Sequence, residues 1–199
     1  MIKSFLLSTV AVTTLSFSAL AQQSSTINNV DAGKVSAQGK PVVLLGKGVE
    51  VGQAAPDFRV VDASFQAKGL ADYQNKPILL SVVPSLDTGV CSIQTKHFNE
   101  KVAASYPQVA MLTISTDLPF AQKRYCAAEG IDKLETLSDA VWRDFAEKYG
   151  LLIKDMGILS RAVFVLDKNH KIVYKQLVSE LSKEPDYDNA IAALQALGE

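Results

Sequence analysis

Cys91 and Cys126, with His97 and His170, are the side chains of this 199-residue chain best suited to nucleophilic, redox or metal chemistry. The four lack the paired spacings of a closed zinc site. Cys91 is followed by Ser-Ile-Gln, so no Cys-x-x-Cys dithiol motif occurs. The chemistry left open is that of a reactive thiolate, or of a plain disulfide between the two thiols. Around Cys91 the sequence runs Pro84-Ser-Leu-Asp-Thr88-Gly-Val-Cys91-Ser. It reads as the end of a buried strand, a short polar loop and the start of a helix. With Thr88 near the N-cap, Cys91 falls in the first turn. There unpaired backbone N–H groups and the positive end of the helix dipole favour a thiolate, the nucleophilic form. Thr88 adds a hydroxyl able to hold a small oxygen ligand beside the sulfur, and Pro84 stiffens the loop and shields the site. His97 lies six positions beyond Cys91 and points away from the sulfur on a helix, so it reads as a packing or surface residue. His170 falls in a turn and reads as solvated.

The elements that must position these residues follow from apolar runs and their punctuation. Residues 77–84, a continuous apolar run bounded by prolines, predict a strand buried on both faces. Residues 92–106 predict a helix on the four-residue spacing of Phe98, Val102 and Tyr106, and 109–115 predict a second buried strand. That order implies a right-handed parallel crossover. Pro119 opens the next helix and Gly130 closes it, with Ala121, Tyr125 and Ala128 as its apolar stripe and Cys126 beside it. Asp139 caps a third helix, with Trp142, Phe145, Ala146 and Tyr149 as its core face. Residues 162–166 and 171–178 flank Asp-Lys-Asn-His and predict an antiparallel hairpin. Residues 58–62 predict a short strand, and a last helix runs over 186–197. The class is α/β, a mixed central sheet flanked by helices. Periodicity alone permits either a thioredoxin-like or a small flavodoxin-like arrangement.

Composition bounds the partners. Lys and Arg number 20 against 21 Asp and Glu, with no long basic run, which argues against nucleic acid and anionic membrane. Residues 1–21 differ in kind: Lys3 precedes an apolar stretch from Phe5 to Leu20, and Ala19-Leu20-Ala21 fits a small-x-small cleavage site. They predict a removable signal peptide and an exported, periplasmic or secreted protein with no membrane attachment after cleavage. Residues 22–37, rich in Ser, Asn, Gln and Gly, read as a flexible linker, so that the folded domain spans 38–199.

Several blocks in order resemble one family. Pro-x-x-x-Thr-x-x-Cys after an apolar strand resembles the peroxiredoxin active site, and Ser-Leu-Asp-Thr-Gly-Val-Cys its thiol peroxidase branch. The likeness continues through Asp117-Leu-Pro-Phe-Ala-Gln-Lys-Arg-Tyr-Cys126, Arg161-Ala-Val-Phe-Val and Glu184-Pro-Asp-Tyr. It covers about residues 36–198, and Lys40-Pro-Val-Val-Leu is similar to the family's N-terminal β-hairpin extension. The resemblance implies a thioredoxin-like fold. It implies Cys91 as peroxidatic cysteine, Thr88 and Pro84 as its pocket partners, and Arg161 against the thiolate. It further implies Cys126 as the resolving cysteine that forms an intramolecular disulfide with Cys91. Hydrogen peroxide and organic hydroperoxides are the implied substrates, with no cofactor and no metal. A thioredoxin-like or other dithiol donor and a homodimer are the implied partners. The alternative is a non-enzymatic exported binding module of the same fold, stapled by a structural Cys91–Cys126 disulfide. Without its family context Arg161 reads as a surface or ion-pairing residue, and Trp142 with Phe145 as core.

Overall fold

The computed structural model describes residues 29–198. In chain order the strands and helices are β1 (Asn29–Ala37), β2 (Lys40–Leu45), β3 (Val60–Val61), β4 (Ala67–Lys68), β5 (Ile78–Val82), α1 (Gly89–His97), β6 (Ala110–Ser115), α2 (Pro119–Glu129), β7 (Glu135–Ser138), α3 (Asp144–Tyr149), β8 (Leu152–Ile153), β9 (Ala162–Leu166), β10 (Ile172–Leu177) and α4 (Tyr187–Gln195). A central sheet is ordered β10-β9-β5-β6-β7-β3-β4, and β1-β2-β8 form a second, smaller sheet. β5 is parallel to β6 and antiparallel to β9, so the central sheet is mixed. Alternation along these strands supplies two cores. Ile78, Leu80 and Val82 of β5 join Ala162, Phe164 and Leu166 of β9 and the α3 residues Phe145, Ala146 and Tyr149. Leu79, Val163 and Val165 turn the other way, onto Phe98, Val102, Ala190 and Leu194. The arrangement is the thioredoxin-like one.

Several elements depart from the sequence reading. The segment expected as a linker over 22–37 is a strand from Asn29, paired antiparallel with β2, so the folded unit begins before residue 38. Backbone pairing holds this strand, with buried Val35 as an apolar anchor, which is why a polar side-chain pattern concealed it. Gln38 and Gly39 turn the hairpin with φ of 51° and 75°. The expected signal peptide, 1–21, lies outside the described residues. The strand expected over 58–62 shortens to β3, and β7 was not anticipated at all. The helix over 92–106 starts at Gly89, as Thr88 near its N-cap requires, but widens to a π-helical turn over Phe98–Val102 and stops there. Within that turn buried Asn99 donates to the Gly130 carbonyl and accepts from the N–H groups of Asp132 and Lys133. In α2 the buried side chains are Pro119, Gln122 and Tyr125, while Ala128 is exposed. Trp142 leaves the predicted core face and lies under the Arg59 guanidinium, 3.8 Å from its ring centroid. His170 is half-buried, its Nε2 3.2 Å from the Tyr73 carbonyl, where a solvated side chain was expected.

Asp139 does cap α3, from five residues before the helix starts: its carboxylate accepts from Phe145 N and Ala146 N at 3.1 and 2.9 Å. Burial pushes its pKa up to about 6, against the two N–H donors and Arg143, which lower it. Between about pH 4 and 6 the folded chain therefore keeps a proton that the unfolded chain has released, and stability falls as pH rises through that window. Two pK units correspond to at most about 3 kcal/mol. In Asp139→Asn this decline is expected to disappear, read as urea midpoints at pH 4.5 and 7 that converge relative to the parent protein.

Candidate active site

The chain order places Cys91 and Arg161 at one end of the sheet. Val82, the last residue of β5, pairs with Ala162, the first of β9. The chain leaving β5 thus passes Arg161 before it enters the loop of residues 83–88 and then α1. Asp117, just beyond β6, secures that loop. Its carboxylate accepts from Ser85 Oγ at 2.7 Å, Leu86 N at 2.8 Å and Ser115 Oγ at 2.8 Å. Such charge-assisted bonds exceed neutral ones in strength.

Thr88 is the N-cap of α1 in an extended conformation, and its side chain caps no helix N–H. Its hydroxyl donates instead to the Ser85 carbonyl at 3.1 Å. The first-turn amides of Gly89, Val90 and Cys91 lack intrahelical acceptors, as the geometry of any helix start requires. Cys91 is fully buried, its carbonyl bonded by Thr95 Oγ1 at 2.8 Å. Beside it Arg161, only 1% exposed, brings Nη2 to 3.2 Å from the Cys91 sulfur. The same guanidinium donates through Nη1 to Gln94 Oε1 at 2.6 Å, and through Nε and Nη2 to the Leu181 carbonyl at 3.2 and 2.9 Å. Gln94 in turn donates to Ser81 Oγ of β5 at 2.8 Å. Arg161 is therefore held by neutral oxygens, and its charge faces sulfur.

A cavity of about 410 Å³ opens beside Arg161, walled by Pro84, Thr88, Val90, Arg161, Gln38 and Glu180, with the buried Cys91 sulfur reached from it only past Arg161 and the start of α1. Pro84, Thr88 and Arg161 are thus brought together, as the sequence reading expected. Gln94, Ser81 and Leu181 escaped it. A Gln one helical turn beyond Cys91 is the only sequence signal for the first, and a backbone carbonyl such as that of Leu181 leaves none.

Cys126 sits on the half-buried side of α2 in one apolar cluster with Val83, Leu86, Cys91, Tyr125 and Ile131. Its sulfur lies 3.4 Å from Thr136 Oγ1. Burial pushes its thiol pKa up, partly offset by the Thr136 contact. Both thiols are free, and no structural staple joins them. Tyr125, the neighbour of Cys126, reaches α1 through its hydroxyl, 3.1 Å from Ser92 Oγ. Lys96 and Glu129 pair across the same two helices. His97 stacks on Tyr187 with ring centroids 3.7 Å apart, a packing role as expected.

The Redoxin family model matches residues 50–191. A thiol peroxidase of Oceanobacillus iheyensis is 51% identical over 80% of this chain and 97% of its own length. The thiol peroxidase of Bacillus subtilis is 50% identical over 82% of this chain and 98% of its own. Among solved structures, a peroxiredoxin-like protein from Aquifex aeolicus superposes with a TM-score of 0.78 at 42% identity, covering 83% of this chain and 98% of that one.

Gln94 tests the support behind the site. Gln94→Leu leaves Arg161 Nη1 and Ser81 Oγ without these partners, a loss of about 1.5–3 kcal/mol for a bond to a charged group. If that energy orients the guanidinium, the second-order rate of Cys91 oxidation by hydrogen peroxide falls about ten- to a hundredfold. Stopped-flow oxidation with a parallel melting curve separates this from simple destabilisation.

Proposed function

Because the chain belongs to the redoxin family, on its thiol peroxidase branch, we propose that it reduces hydrogen peroxide and organic hydroperoxides at Cys91 with electrons from a thiol donor. The observation that carries the proposal is the buried Arg161 guanidinium at 3.2 Å from the Cys91 sulfur. A cation this deeply buried costs several kcal/mol unless an anion answers it. A Cys91 thiolate answers it. The thiolate attacks the terminal peroxide oxygen, the O–O bond breaks, and the leaving oxygen takes a proton to depart as water or alcohol. Cys91 is left as a sulfenic acid. Thr88 Oγ, its own proton engaged by Ser85, is placed to accept the peroxide O–H. Arg161 donates to the oxygen on which charge develops. The Cys126 thiol then loses its proton and displaces the hydroxyl from Cys91, forming a disulfide and water. An external dithiol, of thioredoxin type or another, returns both cysteines to thiols.

Lys3, the apolar stretch and Ala19-Leu20-Ala21 support export to the periplasm. Leu118 and Phe120 are 57% and 62% exposed, and Phe120 packs on Phe65, itself 45% exposed. That apolar cluster supports a homodimer.

Titration with one equivalent of peroxide tests the assignment. The parent protein is expected to lose both thiols rapidly, Cys91→Ser to keep its single remaining thiol, and Cys126→Ser to lose its single thiol and stop at a trapped sulfenic acid. Sustained turnover by Cys91→Ser would sink the proposal.

Arg161→Ala removes one to two charge-assisted contacts and is expected to slow peroxide reduction about ten- to a thousandfold. Arg161→Lys recovers only part, since a point charge lacks the planar fork. An unchanged rate in the Ala variant would return Arg161 to a purely structural place.

A further inference from the structure

The cavity beside Arg161 is far larger than the smallest proposed substrate. Its volume is about 410 Å³, whereas a water in the liquid occupies about 30 Å³, and hydrogen peroxide has one heavy atom more. Such a substrate fills only the corner formed by Thr88 and Arg161. The remaining wall comes from elsewhere in the fold: Ala37 and Gln38 from the β1–β2 turn, and Glu180, Leu181 and Ser182 from the chain after β10.

One side chain joins these two pieces of wall. The Glu180 carboxylate accepts from Ser36 Oγ at 2.8 Å, and from the Gln38 and Gly39 N–H groups at 3.0 Å each. It also accepts from Ser182 N at 3.3 Å and Ser182 Oγ at 3.1 Å. These bonds, led by Gly39 N–H and the Ser36 hydroxyl, pull its pKa down to about 2, so it stays ionised at working pH. Backbone bonds run alongside: Leu181 N–H donates to the Ser36 carbonyl at 2.9 Å, and Ser36 N–H to the Ser179 carbonyl at 2.8 Å. Leu181 then presents its own carbonyl to Arg161. The turn has no apolar anchor of its own, since Gln38, Gly39 and Lys40 are all exposed.

We propose that Glu180 is a specificity-determining positioning residue, which fixes the hairpin turn as the outer wall of the cavity and so selects for bulky organic hydroperoxides. It touches no reacting atom. It acts by holding Gln38 and Ala37 where the organic part of a hydroperoxide would pack, beyond the space that hydrogen peroxide fills. Releasing the turn removes contacts from the large substrate and few from the small one. Binding of the organic part is spent in the ground and transition states alike, so its loss is felt in KM.

The inference rests on the proposed peroxidase reading, and the experiment separates the two. The parent protein, Glu180→Gln and Ser36→Ala are assayed with cumene hydroperoxide and with hydrogen peroxide. In Glu180→Gln the ratio of kcat/KM for cumene hydroperoxide to that for hydrogen peroxide is expected to fall at least fivefold, through KM. Ser36→Ala, which removes one donor and keeps the charge, is expected to lower the ratio by less. A ratio within twofold of the parent in a folded Glu180→Gln protein overturns the role of Glu180, as does an equal fall with both peroxides. Should Glu180→Gln fail to fold, an unmoved ratio in Ser36→Ala overturns it. Failure of the parent protein to consume either peroxide overturns the peroxidase reading itself.

Discussion

The structure turns on a buried arginine whose hydrogen-bond partners among the described residues include no carboxylate. Arg161 stands at the first register position before β9, inside the fold, where a bare guanidinium is unfavourable. The chain could have answered it with Asp or Glu. It supplies instead the amide of Gln94, the carbonyl of Leu181 and the sulfur of Cys91. Neutral oxygens orient a guanidinium without cancelling its charge, so the field it exerts on the sulfur is kept. A carboxylate at the place of Gln94 would share that field.

Most of the fold serves this contact. The antiparallel pairing of β5 and β9 brings Val82 against Ala162, and so delivers the start of the active loop to Arg161. Asp117, at the end of the neighbouring parallel strand, ties the loop down through Ser85 and Leu86. Ser81, alternating with the core residues of β5, holds Gln94 from below. The chain after β10 then supplies both the Leu181 carbonyl and the Glu180 carboxylate. One short segment thus braces the arginine on its inner side and the hairpin turn on its outer side.

What the sequence disclosed and what it hid follow from the range of each signal. Cys91, Thr88 and Pro84 form a local pattern, a strand end and a helix start, and the structure assembles them as read. Arg161 was legible only through the resemblance, because an arginine flanked by Ser160 and Ala162 carries no mark of its burial. β1 reads as a linker because its stretch is rich in Ser, Asn, Gln and Gly and lacks apolar periodicity; main-chain pairing with β2, buried Val35 and Glu180 hold it. Trp142 was assigned to the core by helical spacing, yet α3 begins only at Asp144, and the tryptophan precedes it. The π-helical turn carries Asn99, whose amide serves backbone groups of a distant loop, a contact no periodicity encodes.

The two thiols illustrate a tension that the fold must resolve. They share one apolar cluster yet lie on separate helices, each thiol free. Disulfide geometry demands Cα atoms within about 7 Å and aligned Cβ vectors, a condition that two intact helices rarely meet. The resting contacts also favour separation. Tyr125 ties α2 to Ser92, the residue after Cys91, while Lys96 and Glu129 clasp the same helices farther along. The Cys126 sulfur lies against Thr136 Oγ1, and burial pushes its thiol pKa up. In the proposed cycle, a sulfenic acid at Cys91 replaces the anion that answered Arg161, and the first turn of α1 loses one of the contacts that hold it. That turn has no side-chain cap to retain it. Local opening of a single turn lies at the low end of a domain's stability. In that cycle oxidation weakens the turn that carries Cys91, and an opening that exposed Cys91 to Cys126 would also let water reach the Cys126 thiol and ease its deprotonation.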